Sequence, residues 1–280
     1  MTDLVSALNA GGPVIAAELR PPRAELEHGE GMNAWIDTYH AVRRLTRAGT
    51  YVFLTDSAVG LAEEDNLRHL VTNLGTDVPR ERIVPFMTSK HTLEFCYWYA
   101  ERAHQSGFPA LVVLGGDKAV GIPRCVEHAW QLRHLLHARD HGLALGGWAN
   151  PNSHPERQVE YLLDPQFDAS FYLTQIVSHH TLAPVAGFVE AARRRGVSMP
   201  GLFGVFYYRS ANPKTLKTLE SFIPVPTEAL VREFAEGVSP EEVCARTIRA
   251  LRGIGARHVY ISNLPIGRAH TVLSEILERV

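Results

Sequence analysis

A chain of 280 residues, 45% hydrophobic and 21% charged, carries enough apolar material to bury a large core without staples. Its 30 acidic and 28 basic residues are mixed along the chain to a net charge of −2, which argues against the basic footprint of a nucleic-acid or anionic-membrane binder. Cys96, Cys125 and Cys244 are odd in number and lie outside any CxxC, so no disulfide framework and a reducing compartment are expected. No apolar run reaches the roughly 18–20 residues of a membrane span, and residues 1–9 lack the basic start and apolar stretch of a secretory signal. The expectation is a cytoplasmic protein, with an oligomer left open.

Short β-rich runs alternate with longer amphipathic patterns from end to end. In chain order the sequence predicts a strand over Pro13–Leu19 and a helix over Asn33–Arg47, then Thr50–Thr55 with Glu63–Leu74, and Arg82–Met87 with Thr92–Gln105. Next come Ala110–Leu114 with Pro123–Ala138, Leu143–Gly147 with Pro155–Leu163, and Ser170–Gln175 with Leu182–Arg194. Gly201–Phe206 is followed by three helical patterns, Pro213–Ser221, Glu228–Ala235 and Pro240–Ile254; His258–Ser262 and Ala269–Leu277 close the series. Runs such as Leu111-Val112-Val113-Leu114 suit strands buried on both faces. Ser239-Pro240-Glu241-Glu242 reads as a capped helix start, and Gly142, Gly196 and Gly255 fall where helices should stop. Eight β–α units without a linker predict an α/β protein made of a single (β/α)8 barrel over residues 1–280. The competing doubly wound sheet calls for a glycine-rich first turn, and this chain has Arg20-Pro21-Pro22-Arg23 there.

In a barrel the chemistry gathers at the carboxyl ends of the strands. Those ends carry Glu18, Thr55-Asp56, Thr88-Ser89, Gly115-Gly116-Asp117, Trp148-Ala149-Asn150, Thr174-Gln175, Tyr207-Tyr208-Arg209 and Asn263. Each has a plain alternative. Glu18 can pair with Arg20 or Arg23, Asp117 can be a turn residue, and Gln175 can serve a structural hydrogen bond. A carboxylate set in an apolar strand, however, gains the raised pKa of a general acid. Gly116–Gly121 has the outline of a phosphate loop but lacks the Lys and Ser/Thr that must follow. Cys125, His128, His134, His137 and His141 read as a solvated helix face rather than a metal site, and His179-His180 as local capping.

The rim residues resemble the methylenetetrahydrofolate reductase family of (β/α)8 barrels over nearly the whole chain, from about Val14 onward. Ala17-Glu18-Leu19-Arg20-Pro21-Pro22 is similar to the family's first strand, and Leu114-Gly115-Gly116-Asp117 to its Leu-Arg-Gly-Asp turn. Asn150-Pro151-Asn152-Ser153-His154-Pro155-Glu156 resembles its Tyr-Pro-x-x-His-Pro-Glu loop. Leu173-Thr174-Gln175 stands where the family has Ile-Thr-Gln; Pro200-Gly201-Leu202 with Tyr207-Tyr208-Arg209 resembles its seventh strand, and Tyr260 with Asn263 its last. The resemblance implies reduction of 5,10-methylenetetrahydrofolate to 5-methyltetrahydrofolate, with Glu18 as general acid. It implies that Asp117 and Gln175 hydrogen-bond the pterin, that Tyr208 packs on the folate with Asn263 also on the substrate side, and that Thr55, Thr88, Trp148, Asn150 and His154 face the reduced cofactor.

Two departures bear on that cofactor. Family members hold FAD, with basic residues in a longer segment before Ile-Thr-Gln. Here 18 residues, 157 to 174, separate Glu156 from Gln175, and Arg157 is their one basic residue. Gly115 also replaces the arginine of the Leu-Arg-Gly-Asp turn. A diphosphate wants Arg, Lys or helix N-termini. The chain therefore resembles the family's flavin-independent branch, in which NADH, with NADPH as the alternative, donates hydride directly and FAD is absent. The alternatives are the same reaction through a bound FAD or deazaflavin, or a non-catalytic folate-binding barrel.

Overall fold

The computed structural model describes residues 2–22, 26–56, 78–139 and 142–280, and the side chain of His28 is not described. The expected helix over Glu63–Leu74, Arg23 and His141 lie outside the described residues. Eight strands form a closed parallel barrel in sequential order, β1 (Ile15–Leu19), β2 (Tyr51–Leu54), β3 (Ile83–Thr88), β4 (Ala110–Leu114), β5 (Ala144–Ala149), β6 (Phe171–Val177), β7 (Gly201–Phe206) and β8 (His258–Ser262), with β8 pairing back onto β1. The protein is a (β/α)8 barrel, as the alternation predicts.

Strand alternation divides the core in two. Ala17, Leu19, Val52, Leu54, Leu111, Val113, Val259 and Ile261 point outward and pack beneath the helices. Ala16, Phe53, Val84, Phe86, Val112, Phe171, Leu173, Leu202 and Tyr260 point inward and fill the barrel. Filling it with rings such as Phe53 and Phe171, both fully buried, contributes about 1.5–3 kcal/mol each. A short helix not anticipated in the sequence, α1 (Leu4–Asn9), closes the amino-terminal end of the barrel. Its cap is Asp3, which accepts the Ser6 amide at 3.0 Å. Leu4 and Leu8 pack into the inner cluster, and the Tyr51 hydroxyl donates to the Thr2 carbonyl at 2.8 Å. Six residues are too few for a visible apolar period, so this helix depends on the floor it plugs.

The outer layer holds α2 (His28–Arg47), α3 (Leu93–Gln105), α4 (Ala129–His137), α5 (Pro155–Leu163), α6 (Leu182–Arg194), α7 (Pro213–Leu219), α8 (Thr227–Ala235), α9 (Pro240–Gly253) and α10 (Ala269–Leu277). Ser239 caps α9 by accepting the Glu242 amide at 3.2 Å, as its sequence signature predicts. Gly196 and Gly255, the expected stops, take φ of 73° and 91°. One helix is shorter than expected. Residues 123–128 were predicted helical, yet α4 starts at Ala129 because tertiary hydrogen bonds draw this stretch away: the Cys125 amide donates to the Ser89 carbonyl at 2.7 Å, and buried Lys90 donates to the carbonyls of Val120 and Ile122 at 2.7 and 2.6 Å. All three cysteines are free thiols. No described helix is long and apolar enough to cross a membrane.

Candidate active site at the barrel mouth

With α1 closing one end, the open mouth is at the carboxyl ends of the strands. Glu18 reaches it from β1, two residues beyond inward-facing Ala16. Its carboxylate accepts a hydrogen bond from the Ser262 hydroxyl at 2.5 Å. Among the described residues no cation pairs with it, so pairing with Arg20 does not occur. Burial dominates and pushes the Glu18 pKa up; the Ser262 hydroxyl pulls the other way by favouring the anion. Next to it on β8, Tyr260 is fully buried and donates to the Thr174 carbonyl at 2.5 Å. Burial raises its phenol far above the ordinary value, and the Glu18 charge adds to that. The phenol therefore stays neutral, and Glu18 is the buried group here whose pKa is raised from the carboxylate range.

Gln175 sits in a β-bulge of β6, where Thr174 and Gln175 oppose Phe203 alone. Its side-chain oxygen accepts the amide of Ile176 at 2.8 Å, while the Thr174 hydroxyl accepts the Gly204 amide at 3.1 Å. With its oxygen engaged, the Gln175 side chain keeps its amide nitrogen as a donor. Gly204 is required here: a Cβ would lie 2.5 Å from the Tyr260 hydroxyl.

Asp117 follows β4 at the same end of the barrel and is half-buried. It accepts the amide of Ala119 at 2.8 Å, the turn contact that its glycine context allows. Thr55 follows β2, its amide on the Leu19 carbonyl at 3.1 Å. Thr88 is buried and gives both its amide (2.7 Å) and its hydroxyl (3.0 Å) to Asp56, which also contacts His91 at 2.8 Å. Trp148 packs on the inner cluster as a half-buried wall. Asn150 is held by Gln158 and Asn152 at 2.8 and 3.2 Å, and His154 is exposed at the start of α5. Asn263, at φ 68°, donates to the Tyr207 carbonyl at 2.9 Å.

Tyr208 is not an open platform. Its ring is buried against Leu216, Leu230 and Val243, and its hydroxyl is enclosed with no partner among the described residues. Phe206, 4.8 Å from it between ring centres, is the half-exposed ring that joins this cluster to the inner core. Sequence reasoning also missed Ser262, although a period of two from Tyr260 gives its direction.

Gly115 requires a correction. The sequence reading counts it as a lost cation, yet the guanidinium of Arg124 occupies the space a side chain would take: a Cβ at Gly115 would lie 2.9 Å from its Cζ. That guanidinium donates to the Gly116 carbonyl and, at 3.1 Å, to the Glu127 carbonyl; its Nε is buried without a partner among the described residues. A positive charge is therefore supplied to this turn from nine residues further along the chain.

No family model matches this sequence, and no curated protein does. Solved structures do. An uncharacterized protein from Clostridium thermocellum that binds two copies of 5-methyl-5,6,7,8-tetrahydrofolic acid superposes with a TM-score of 0.66 at 15% identity, covering 97% of both chains. An F420-dependent secondary alcohol dehydrogenase in complex with an F420-acetone adduct gives 0.57 at 12% identity, covering 96% of this chain and 99% of that one. A flavocytochrome b2 variant with bound sulfite gives 0.54 at 10% identity, covering 99% and 64%. At such identities the likeness establishes the (β/α)8 fold and nothing narrower.

Proposed function

We propose that this barrel reduces 5,10-methylenetetrahydrofolate to 5-methyltetrahydrofolate, with Glu18 as the general acid. The observation that carries the reading is a carboxyl group desolvated in the barrel mouth, bound by one hydroxyl and facing no cation among the described residues. The closed imidazolidine ring of the substrate is a poor electrophile. Glu18 gives its proton to the bridging aniline nitrogen, that carbon–nitrogen bond breaks, and the methylene carbon becomes an iminium that accepts hydride. A raised pKa keeps this carboxyl protonated to higher pH than an exposed one, as a general acid requires. Asp117 and the Gln175 amide grip the pterin, with Asn263 after β8 as a further polar group of the rim and half-exposed Phe206 as the aromatic ring offered to the folate. The resemblance in the rim motifs supports this reading, and so does the Clostridium thermocellum barrel, whose ligand is the product of this reaction.

Groups for a nicotinamide stand on the same rim. The Trp148 indole of β5 offers a stacking wall and the Asn150–His154 loop offers polar groups between Asp117 and Gln175, while Thr88 and Asp56 brace the neighbouring ends of β3 and β2. A bound NADH, or NADPH, supplies the hydride. Absence of FAD rests on the short, base-poor segment 157–174; Gly115 no longer supports it, since Arg124 restores the charge. Arg124 favours a second reading, the same reduction through FAD or a deazaflavin whose phosphate meets that guanidinium. Two measurements decide. NADH oxidation dependent on methylenetetrahydrofolate, by protein that releases no flavin on denaturation, supports the first reading. Stoichiometric flavin, or a requirement for added flavin or deazaflavin, moves the assignment to the second. No turnover with any donor refutes both and leaves a binding barrel.

A further inference from the structure

Away from the folate reading, the connection from β6 to α6 carries His179 and His180 in a single tight turn. Capping there is done by Ser178, whose hydroxyl accepts the His180 amide at 3.3 Å. Both imidazoles instead turn onto Glu233 of α8, a carboxylate only 7% exposed. His179 Nε2 lies 3.3 Å from its Oε1, and His180 Nε2 lies 2.9 Å from its Oε2. The two rings tilt against each other with centroids 3.9 Å apart, and the donor atoms of all three residues fall within 4.8 Å of one another.

The Thr247 hydroxyl lies 2.8 Å from His179 Nδ1 and so holds that imidazole with Nε2 turned to the carboxylate. Two imidazole nitrogens and a buried carboxylate converging on one point are a ligand set for a divalent ion. With bonds of about 2.0–2.1 Å, tetrahedral coordination sets ligand atoms about 3.3–3.4 Å apart, so the 2.9 Å between His180 Nε2 and Glu233 Oε2 has to open slightly as an ion enters. Arg246 holds Oε1 at 2.7 Å and shares its charge with Glu242 at 3.1 Å, which leaves Oε2 for an ion. Thr247 on one imidazole and Arg246 on the carboxylate are the outer partners that orient ligands at metal sites.

We propose that His179 Nε2, His180 Nε2 and Glu233 Oε2 bind one divalent transition-metal cation, zinc by ligand type, with a fourth position open to water. The ion ties the β6–α6 connection to α8, and so fixes the helical excursion α7–α8 whose Leu216 and Leu230 cover Tyr208.

The test is calorimetric titration of metal-stripped, tag-free full-length protein with zinc chloride, and with cobalt chloride read by its visible ligand-field bands. One tight ion per chain is expected, with cobalt bands of tetrahedral intensity. His179→Ala and His180→Ala should each weaken binding more than about a hundredfold, and Thr247→Val about 10–100-fold. A double His134→Ala, His137→Ala variant, which removes the exposed pair near Asp168, should leave it unchanged. Where a variant fails to fold, the imidazole nitrogen shifts of wild-type protein on adding zinc identify the two ligand histidines without mutation. The proposal is overturned if wild-type protein binds neither ion below millimolar concentration, or if the His134/His137 change abolishes binding. It is equally overturned if the shifted rings are not His179 and His180.

Discussion

Replacing Glu18 by Gln keeps the side-chain shape and the hydrogen bond to Ser262 while removing the transferable proton. General acid–base groups contribute about 10²–10⁴-fold, so turnover should fall at least about a hundredfold, or roughly 2.7 kcal/mol of transition-state stabilisation. Affinity for the folate should change far less, because the amide still fills the site. Stability moves in the opposite direction from activity. The folded carboxyl has a raised pKa, so the unfolded chain ionises first as pH rises. Whatever Glu18 contributes to stability is complete below its unfolded pKa and is lost on rising through the folded one. The Gln variant should therefore melt at or above wild type at pH 8, with the difference closing towards pH 4. Initial rates of NADH oxidation with methylenetetrahydrofolate, folate affinity by calorimetry and melting curves at both pH values make the comparison. Turnover within about threefold of wild type, in a variant that melts normally, would refute the acid role and leave Glu18 a structural residue.

Removing the Ser262 hydroxyl in Ser262→Ala takes away the contact that favours the anion, so the alkaline limb of the rate profile should move to higher pH; a shift to lower pH contradicts the assigned hydrogen bond. Tyr208→Phe deletes a buried hydroxyl with no partner, and stability to urea should stay level or rise by up to about 1–3 kcal/mol. A clear loss would show that the hydroxyl is satisfied. Gly204→Ala drives a methyl into the Tyr260 hydroxyl that holds the β6 bulge, and should cost about 1–3 kcal/mol in urea unfolding.

Local chemistry made the barrel readable. Continuous apolar runs, helix starts such as Ser239-Pro240 and glycine stops follow from short-range sterics and hydrogen bonding, so β4, β7 and β8 fall where the pattern puts them. The residue at each strand end is likewise a matter of counting along the chain, so Glu18, Asp117 and Gln175 are legible in the sequence. What those residues touch is not. Lys90, donating to carbonyls some 30 residues away, and the Ser89 carbonyl, accepting the Cys125 amide, hold back the start of α4, which no local propensity records. Arg124 returns the charge that Gly115 lacks, because the fold lays its guanidinium over Gly115 and onto the Gly116 carbonyl. His179 and His180 meet Glu233 only because the barrel brings α8 and α9 against the β6–α6 connection. Sequence alone determined which groups stand at the mouth, since strand direction and period are local properties. Tertiary structure decided their partners, their exposure and therefore their protonation, because desolvation and pairing belong to the folded environment rather than to the chain.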